Sequence, residues 1–341
     1  MASPAGQRFE LFWQRNKEKF PTEKIGILGS EEPLNYSCLR SIKNCEFYSS
    51  QKDCLKEAKK LGFIIETSIT KKFDAVILEL TKNTDHNLSL FAMAEESLNL
   101  KGVLVLNGNN NLGIQSLIKK INFYWMHTDL LIKSKGRIAY FIKENNLSRK
   151  IKHWKQLSKL KINKDGYYTC PDMFSPKQID QGSIKLANML KNSLHGKVAD
   201  LGSGWGYLSK SALSTNFKID QITMFEKNFL AVNAAKLNVL DRRAKFKWLD
   251  IEVLIKFKTK YDHIICNPPF HEGPQKKIDL LQSFINCSAH ILKKNGSAWM
   301  VFISDIGVEK YIEKSFGNFR VIKKDRHYKV YEMSKIKKKG M

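Results

Sequence analysis

The stretch KVADLGSGWGYLS, Lys197 to Ser209, changes character twice within thirteen residues. An apolar run closes on Asp200, glycines follow at positions 202, 204 and 206, and a helix-compatible segment opens at Tyr207. Glycines in such a turn permit positive φ and let a ligand approach the backbone beside the unpaired N–H groups of a helix N-terminus. A strand, a tight turn and a helix in that order is the opening unit of a parallel α/β sheet. Two familiar loops are excluded. The dinucleotide fingerprint needs a third glycine where Tyr207 stands, and the P-loop needs a Gly-Lys-Ser/Thr that does not follow. What remains is an acid-x-Gly-x-Gly-x-Gly loop.

Further along, QITMFEKN places Glu226 at the carboxyl end of the next strand, where a carboxylate can accept hydrogen bonds from both hydroxyls of a ribose. KFKWLDIE places a third acid, Asp250, at the end of another strand. The segment YDHIICNPPFHEG, Tyr261 to Gly273, then runs an apolar strand into Asn267-Pro268-Pro269-Phe270. Prolines there end the hydrogen-bond ladder, because neither donates an N–H. Asn267 adds a side-chain acceptor and Phe270 a flat apolar face, so the loop suits a planar group that carries an N–H2. His271 follows directly, either as a proton acceptor or as a structural residue.

Working outward, the same alternation of short apolar runs and amphipathic helices fills both halves of the chain: KIGILG, FDAVILEL and GVLVLNG first, then KVADLG, QITMFE, YDHIICN and SAWMVFI. LSLFAMAEESLNL and IDLLQSFINCSAHILKK carry apolar residues at three- and four-residue spacing, so helices are expected between the strands. The pattern predicts an α/β fold with a mostly parallel sheet, twice over. Phe73-Asp74-Ala75-Val76-Ile77-Leu78 matches Tyr261-Asp262-His263-Ile264-Ile265-Cys266 in kind, and Gly-initiated strands follow each at Gly102 and Gly296. Duplication explains the echo. The first copy reads LELTKN where the second reads NPPF, and its Ile25-Gly26-Ile27-Leu28-Gly29 segment has no comparable glycine loop, so it is expected to keep the fold and lack the site. The boundary is set near Leu160, giving residues 1–160 and 161–341. A basic stretch from Arg137 to Lys161 is read as helical, either a solvated face or an RNA-contacting linker using His153 and Trp154. The tail KIKKKGM is expected to be disordered.

Fifty-eight Lys and Arg against 33 Asp and Glu, over 341 residues, leave a formal charge of +25 and point to a polyanionic partner, nucleic acid before a membrane surface. The six cysteines form no C-x-x-C pair and no zinc-type spacing with histidine, so reduced thiols and no metal are expected. No apolar run reaches the roughly 18 residues needed to span a bilayer, and the N-terminus has no apolar leader core, so a cytoplasmic protein without a membrane partner is expected.

The ordered set of glycine loop, Glu226, Asp250 and NPPF resembles the class I methyltransferases that use S-adenosylmethionine, over about Tyr167 to Met333. Met173-Phe174-Ser175-Pro176-Lys177-Gln178-Ile179-Asp180-Gln181-Gly182-Ser183 is similar to the F-S-x-x-x-x-D-x-G-S segment of one subfamily, the ribosomal RNA guanine-N2 methyltransferases of the RsmC type. That subfamily also carries N-P-P-F-H-x-G and a degenerate duplicated first domain. The resemblance implies two tandem Rossmann-like methyltransferase domains with the N-terminal copy degenerate; residues 1–160 are expected to dock the RNA and support folding, because one NPPF loop offers too little surface to flip out and choose a single base. It implies S-adenosylmethionine held by Asp200, Gly202, Ser203, Gly204, Gly206, Glu226, Asp250 and Asn267, with Glu226 on the ribose and Asp250 facing the adenine. Catalysis would rest on Asn267, Pro268 and Phe270, and the base would lie among Asn267, Pro268, Pro269, Phe270 and His271. Trp205 departs from the smaller residues common at its position and is expected beside the cofactor.

The implied reaction is methylation of the exocyclic N2 of a guanine in ribosomal RNA of the small subunit, by a monomer acting on RNA or an assembled subunit. The alternatives are a large-subunit guanine-N2 enzyme and an adenine-N6 or protein-glutamine methyltransferase, since NPP loops serve all three. Outside enzymes, a ribosome-assembly protein that only binds RNA remains open.

Overall fold

The structure is a computed structural model that describes residues 3–147, 149–269 and 274–337. It divides into two compact units: residues 1–159 with Cys170–Asp172, and Leu160–Thr169 with residues 173–341.

The first unit holds strands β1 (Ile25–Leu28), β2 (Cys45–Tyr48), β3 (Ile64–Glu66), β4 (Phe73–Glu79), β5 (Leu98–Asn109), β6 (His127–Lys133) and β7 (Gly136–Ile142). They form one seven-stranded sheet in the order β3-β2-β1-β4-β5-β7-β6. Helices α1 (Pro4–Asn16), α2 (Lys52–Lys60), α3 (Thr84–Ser97), α4 (Ile114–Asn122) and α5 (Lys152–Lys155) accompany it, with a 3-10 helix at Pro33–Leu39 between β1 and β2. Strands β1 and β4 read as continuous buried runs, as strands covered on both faces do. One core gathers Val76, Leu78, Leu104 and Leu106 from the sheet against Phe91, Leu117 and Trp125.

The second unit repeats this plan. After a two-stranded hairpin of β8 (Lys161–Ile162) and β9 (Tyr168–Thr169) come β10 (Gly196–Leu201), β11 (Ile219–Glu226), β12 (Ala244–Trp248), β13 (Tyr261–Cys266), β14 (Leu292–Ile303), β15 (Phe316–Lys324) and β16 (Tyr328–Ile336). Their order is β12-β11-β10-β13-β14-β16-β15, the first sheet's order strand for strand. Helices α6 (Gln181–Met189), α7 (Tyr207–Thr215), α8 (Phe229–Asn238), α9 (Pro274–Ile291) and α10 (Glu309–Ser315) cover it. One core packs Leu281, Phe284 and Ile285 of α9 on Ile264, Cys266 and Met300. Another packs Leu186, Leu208 and Ala235 on Val198, Ile222 and Val301. Each such large apolar side chain contributes about 1.5–3 kcal/mol on burial.

The expected duplication is therefore present, and its likeness extends to an irregularity. The β4–β5 register slips between Phe73 and Ala75, and the β13–β14 register slips between Tyr261 and His263. A glycine sits at each slip. A Cβ on Gly102 would lie 3.1 Å from the Asp74 carbonyl oxygen, and one on Gly296 would lie 2.6 Å from that of Asp262.

Two local expectations are corrected. The Arg137–Lys161 stretch is not one helix: its start is strand β7, paired antiparallel with β5 from Val103↔Ile142 to Asn109↔Gly136, and among the described residues the single turn α5, a 3-10 turn and the first residue of β8 follow. GRIAYFI forms a strand because its β-branched and aromatic residues fit a sheet, with Ile138, Ala139 and Phe141 buried. Trp154 is a core residue packed on Phe91 at 5.6 Å between ring centroids, so no face of it is presented to RNA. The tail is not wholly irregular either, because Lys335 and Ile336 close strand β16; residues 338–341 lie outside the described residues.

Candidate active site

Four neighbouring parallel strands of the second unit, β12, β11, β10 and β13, end at one edge of the sheet. Asp250, Glu226, Asp200 with its glycine loop, and Asn267 stand along that edge in the same order as the strands.

Strand β10 ends at Leu201, and the backbone turns through Gly202, Gly204 and Gly206 at φ of 68°, 54° and 96°. Positive φ at three alternate positions is strained for any residue with a Cβ. The outer two glycines also lie near packed side chains: a Cβ on Gly206 would stand 2.8 Å from Val239, and one on Gly202 would touch Phe284 at 3.4 Å. Gly204 differs, with no atom within 4 Å of its Cβ position. Its open side is where a ligand can approach the chain. The N–H groups of Gly202 and Ser203 both donate to the Phe225 carbonyl of β11, at 2.9 and 3.1 Å, which pins the loop to the neighbouring strand.

Asp200 is fully buried in β10 and its Oδ2 accepts from the Ser209 hydroxyl at 2.6 Å. Its Oδ1 is buried with no hydrogen-bond partner. Burial, against the bond from Ser209 and with the nearby Glu226 carboxylate, pushes its carboxyl up to about 7. Glu226 ends β11 half-buried. Its Oε2 accepts from the Gly204 N–H at 2.9 Å and its Oε1 from the Asn228 N–H at 2.8 Å. Burial raises its pKa while those two N–H groups lower it. A carboxylate oxygen has two acceptor sites, so each oxygen keeps capacity for a further donor. Asp250 sits two residues beyond β12, buried, and its Oδ1 accepts from the Glu252 N–H at 3.2 Å, capping the 3-10 helix Ile251–Lys256.

Strand β13 ends at Cys266, whose thiol donates to the Leu201 carbonyl at 3.1 Å and so holds the two strand ends together. Asn267 follows, half-buried, with Pro268 buried and Pro269 half-buried after it. The Asn267 Nδ2 donates to Asp180 Oδ2 and to Ser183 Oγ, each at 2.8 Å. Asp180 and Ser183 were visible in the sequence only as letters of the F-S-x-x-x-x-D-x-G-S segment; the structure adds their contact with Asn267 across 87 and 84 residues. Phe270 and His271 lie outside the described residues.

Trp205 does not extend into the open side of the loop. It is buried, its indole N–H donates to the Phe174 carbonyl at 2.9 Å, and its ring lies 4.9 Å from that of Tyr167. Its size serves to fasten the preceding segment to the loop. The Asn238 amide completes this fastening by donating to the Trp205 and Tyr168 carbonyls at 2.8 and 3.0 Å.

The corresponding edge of the first unit is closed by its own side chains. Sheet register aligns Leu28 of β1 with Leu78, and Leu201 of β10 with Cys266, so Gly29 answers to Gly202 and Glu79 to Asn267. Gly29 has a φ of 76°, yet a Cβ on it would stand 2.2 Å from the Glu79 carbonyl oxygen. Glu79 accepts from the Tyr36 hydroxyl at 2.7 Å and from the Asn35 amide at 3.3 Å. Arg8 of α1, fully buried, donates to Asn107 and Asn109 Oδ1 at 3.1 and 2.8 Å and to the Ser134 carbonyl at 3.0 Å. Burial lowers the Arg8 pKa and raises that of Glu79, the cost of holding two opposite charges in an apolar setting.

Among the described residues, no group of three or more His, Cys, Asp or Glu side chains could hold a metal ion, and no helix is long and apolar enough to cross a membrane. A family model described as "Methyltransferase small domain" matches residues 166–332. A relative from Buchnera aphidicola (subsp. Acyrthosiphon pisum), named "Ribosomal RNA small subunit methyltransferase C", is 27% identical over 342 aligned positions, covering 93% of this chain and 96% of its own. One of the same name from Psychromonas ingrahamii is 25% identical, covering 93% and 94%. Among solved structures, the T. thermophilus 16S rRNA N2 G1207 methyltransferase (RsmC), in complex with AdoMet and guanosine, superposes with a TM-score of 0.81 at 21% identity, over 98% of this chain and 92% of that one. That likeness shows a shared fold across both units.

Proposed function

We propose that this chain, which belongs to the class I S-adenosylmethionine-dependent methyltransferases of the RsmC type, methylates the exocyclic N2 of a guanine in 16S ribosomal RNA. The observation that carries the reading is the row of Asp250, Glu226, the glycine loop and Asn267 at the ends of four adjacent strands. The relatives' shared name supports a small-subunit ribosomal RNA substrate, and the guanosine bound in the superposed structure supports guanine over the other substrates that an NPP loop admits.

The residues at this edge fit S-adenosylmethionine. Gly204 leaves open space beside the loop, Glu226 keeps acceptor capacity for two ribose hydroxyls, and Asp200 Oδ1 lacks a donor such as an ammonium or a bridging water would supply. Asp250 faces the adenine side in this reading, from a position already fixed by its capping bond. When bound, the cofactor supplies an electrophilic methyl on a sulfonium, so no side-chain nucleophile is required.

The protein's task is then to make a weak nucleophile competent. The guanine N2 lone pair is delocalised into the ring. The Asn267 Oδ1 and the Pro268 carbonyl each accept one N–H, turning the nitrogen towards tetrahedral geometry with its lone pair free for in-line attack. Proline contributes a carbonyl without adding a competing donor. Phe270 supplies the stacking face and His271 lies next to it in the chain. The excess proton on the methylated nitrogen leaves to solvent.

In this reading residues 1–160 dock and orient the RNA and support the catalytic unit, and the chain works as a cytoplasmic monomer. The formal charge of +25 supports phosphate contact, and the closed edge of the first unit supports a role without cofactor. Mass spectrometry of ribosomal RNA nucleosides from a deletion strain tests the function. Loss of N2-methylguanosine from 16S RNA alone is expected, and its retention there would refute the assignment.

A further inference from the structure

An amide has two ends of nearly equal size, and only one of them suits an amine. The oxygen of Asn267 can accept an N–H from the target base, whereas its nitrogen would bind a base carbonyl instead. Which end faces the base must therefore be fixed by something behind it. Asp180 Oδ2 and Ser183 Oγ both stand 2.8 Å from Asn267 Nδ2 and take its two hydrogens. The reversed amide would set its oxygen against a carboxylate oxygen at the same distance, acceptor against acceptor.

Asp180 is itself held. The same Oδ2 accepts from the Ser183 N–H at 2.9 Å as the N-cap of α6, which fixes the first turn of that helix. Gly182 lies between the two residues with no room for a side chain: a Cβ there would be 2.9 Å from the Tyr328 ring and 3.0 Å from Asp180 Oδ2. The start of α6 is thus set between Asn267 on one strand end and Tyr328 of β16. Ser183 is buried, so water does not readily replace its hydroxyl.

From this arrangement we infer that Asp180 and Ser183 are positioning residues that lock the Asn267 amide with its oxygen towards the base, and so restrict the site to bases presenting an N–H2. The inference rests on the guanine-N2 reading and adds to it the source of the preference for an amine over a carbonyl edge. Neither residue touches the reacting atoms; both act through Asn267.

The test uses the full-length protein with Ser183→Ala, Ser183→Thr, Asp180→Ser and the double variant Asp180→Ser/Ser183→Ala. Ser183→Ala leaves the helix cap intact, because the capped group is the backbone N–H, and Asp180→Ser retains a capping oxygen. Four quantities are measured: kcat and KM on small-subunit RNA, cofactor affinity by calorimetry, thermal stability, and competition by guanosine against inosine, which lacks the N2 amine. Ser183→Ala is expected to lower kcat by about tenfold and the double variant by at least about a hundredfold, with cofactor affinity within about twofold. Ser183→Thr, which keeps the hydroxyl, should retain activity. The guanosine preference over inosine should shrink in step with kcat, a change that loss of structural support alone does not produce. Unchanged kcat in an active series, or a fall in cofactor affinity parallel to kcat with the guanosine preference intact, overturns the inference alone. A wild-type enzyme that leaves guanine N2 unmethylated overturns the functional reading, and the inference with it.

Discussion

The two units share a strand order and differ at one edge. In the second, the glycine loop leaves open space at Gly204 and the acids keep acceptor capacity; in the first, Glu79, Tyr36, Asn35, Asn107 and Arg8 bind one another across the same edge. The difference teaches that sheet and site are specified separately. Buried apolar runs such as FDAVIL and YDHIIC build the sheet in both. A few polar positions decide whether its edge receives a ligand or closes on itself, and closing converts a place for a ligand into a point of cohesion.

The sharpest test of that contrast is at the aligned pair Asn267 and Glu79. Asn267→Ala is expected to lower kcat by roughly a thousandfold or more, about 4 kcal/mol in the barrier, while cofactor affinity stays within a few-fold. Glu79→Ala should leave cofactor affinity unchanged. Single-turnover kinetics with calorimetry separates the two, and any loss of cofactor binding in Glu79→Ala would show that the first unit's edge still serves the cofactor.

Arg8→Ala probes the closed edge. It strips donors from Asn107, Asn109 and the Ser134 carbonyl and removes a cation that interacts electrostatically with Glu79, so a loss of about 3 kcal/mol is expected in chemical denaturation. Cofactor affinity should not follow. On the open edge, Glu226→Ala is expected to weaken S-adenosylmethionine binding by about fiftyfold, near 2 kcal/mol, because the ribose loses its acceptor and the Gly204 and Asn228 N–H groups lose theirs. If the loss in Glu226→Ala fell mainly on kcat, the division of roles between Glu226 and Asn267 would be wrong.

The smallest effect on cofactor affinity is a pH dependence. Asp200 titrates at about 7 in the folded protein against the ordinary value of 3.8, so the folded state holds the proton longer than the unfolded one. Stability contributed by this group therefore falls as pH rises between about 4 and 7. Cofactor binding should run the other way, since a cationic ammonium favours the ionised carboxylate, with affinity rising up to about tenfold between pH 6 and 8. Asp200→Asn should flatten both trends in pH-resolved melting and calorimetry; a cofactor affinity that is flat in the wild type would place the ammonium elsewhere.

Much of the catalytic edge was legible because each of its parts is local. Glycines two apart, an acid closing a strand and a strand running into two prolines are each written in a few consecutive residues. The contacts between those parts were not. Asp180 meets Asn267 across 87 residues and Arg8 meets Asn107 across 99, and nothing in a single sequence marks such pairs. The basic character of the stretch after Arg137 says nothing about burial, whereas GRIAYFI, at its start, carries the apolar and aromatic residues of a strand. The edge strand β15 is hard to read from sequence because FGNFRVIKK is largely solvent-facing and shows little apolar alternation.

The register slip shared by the two sheets bears on descent. It lies at the start of the fourth strand of each seven-stranded sheet in chain order, while the second unit's site lies at that strand's other end, and in both a glycine passes close to the carbonyl of an aspartate. Chemistry at the far edge had no reason to place it. A bend without a task, repeated at the same step in a copy that holds a site and in one whose edge is closed, behaves like a scribal slip carried through two manuscripts. It marks the halves as transcripts of one ancestral domain, already bent in this way before one of them fell silent.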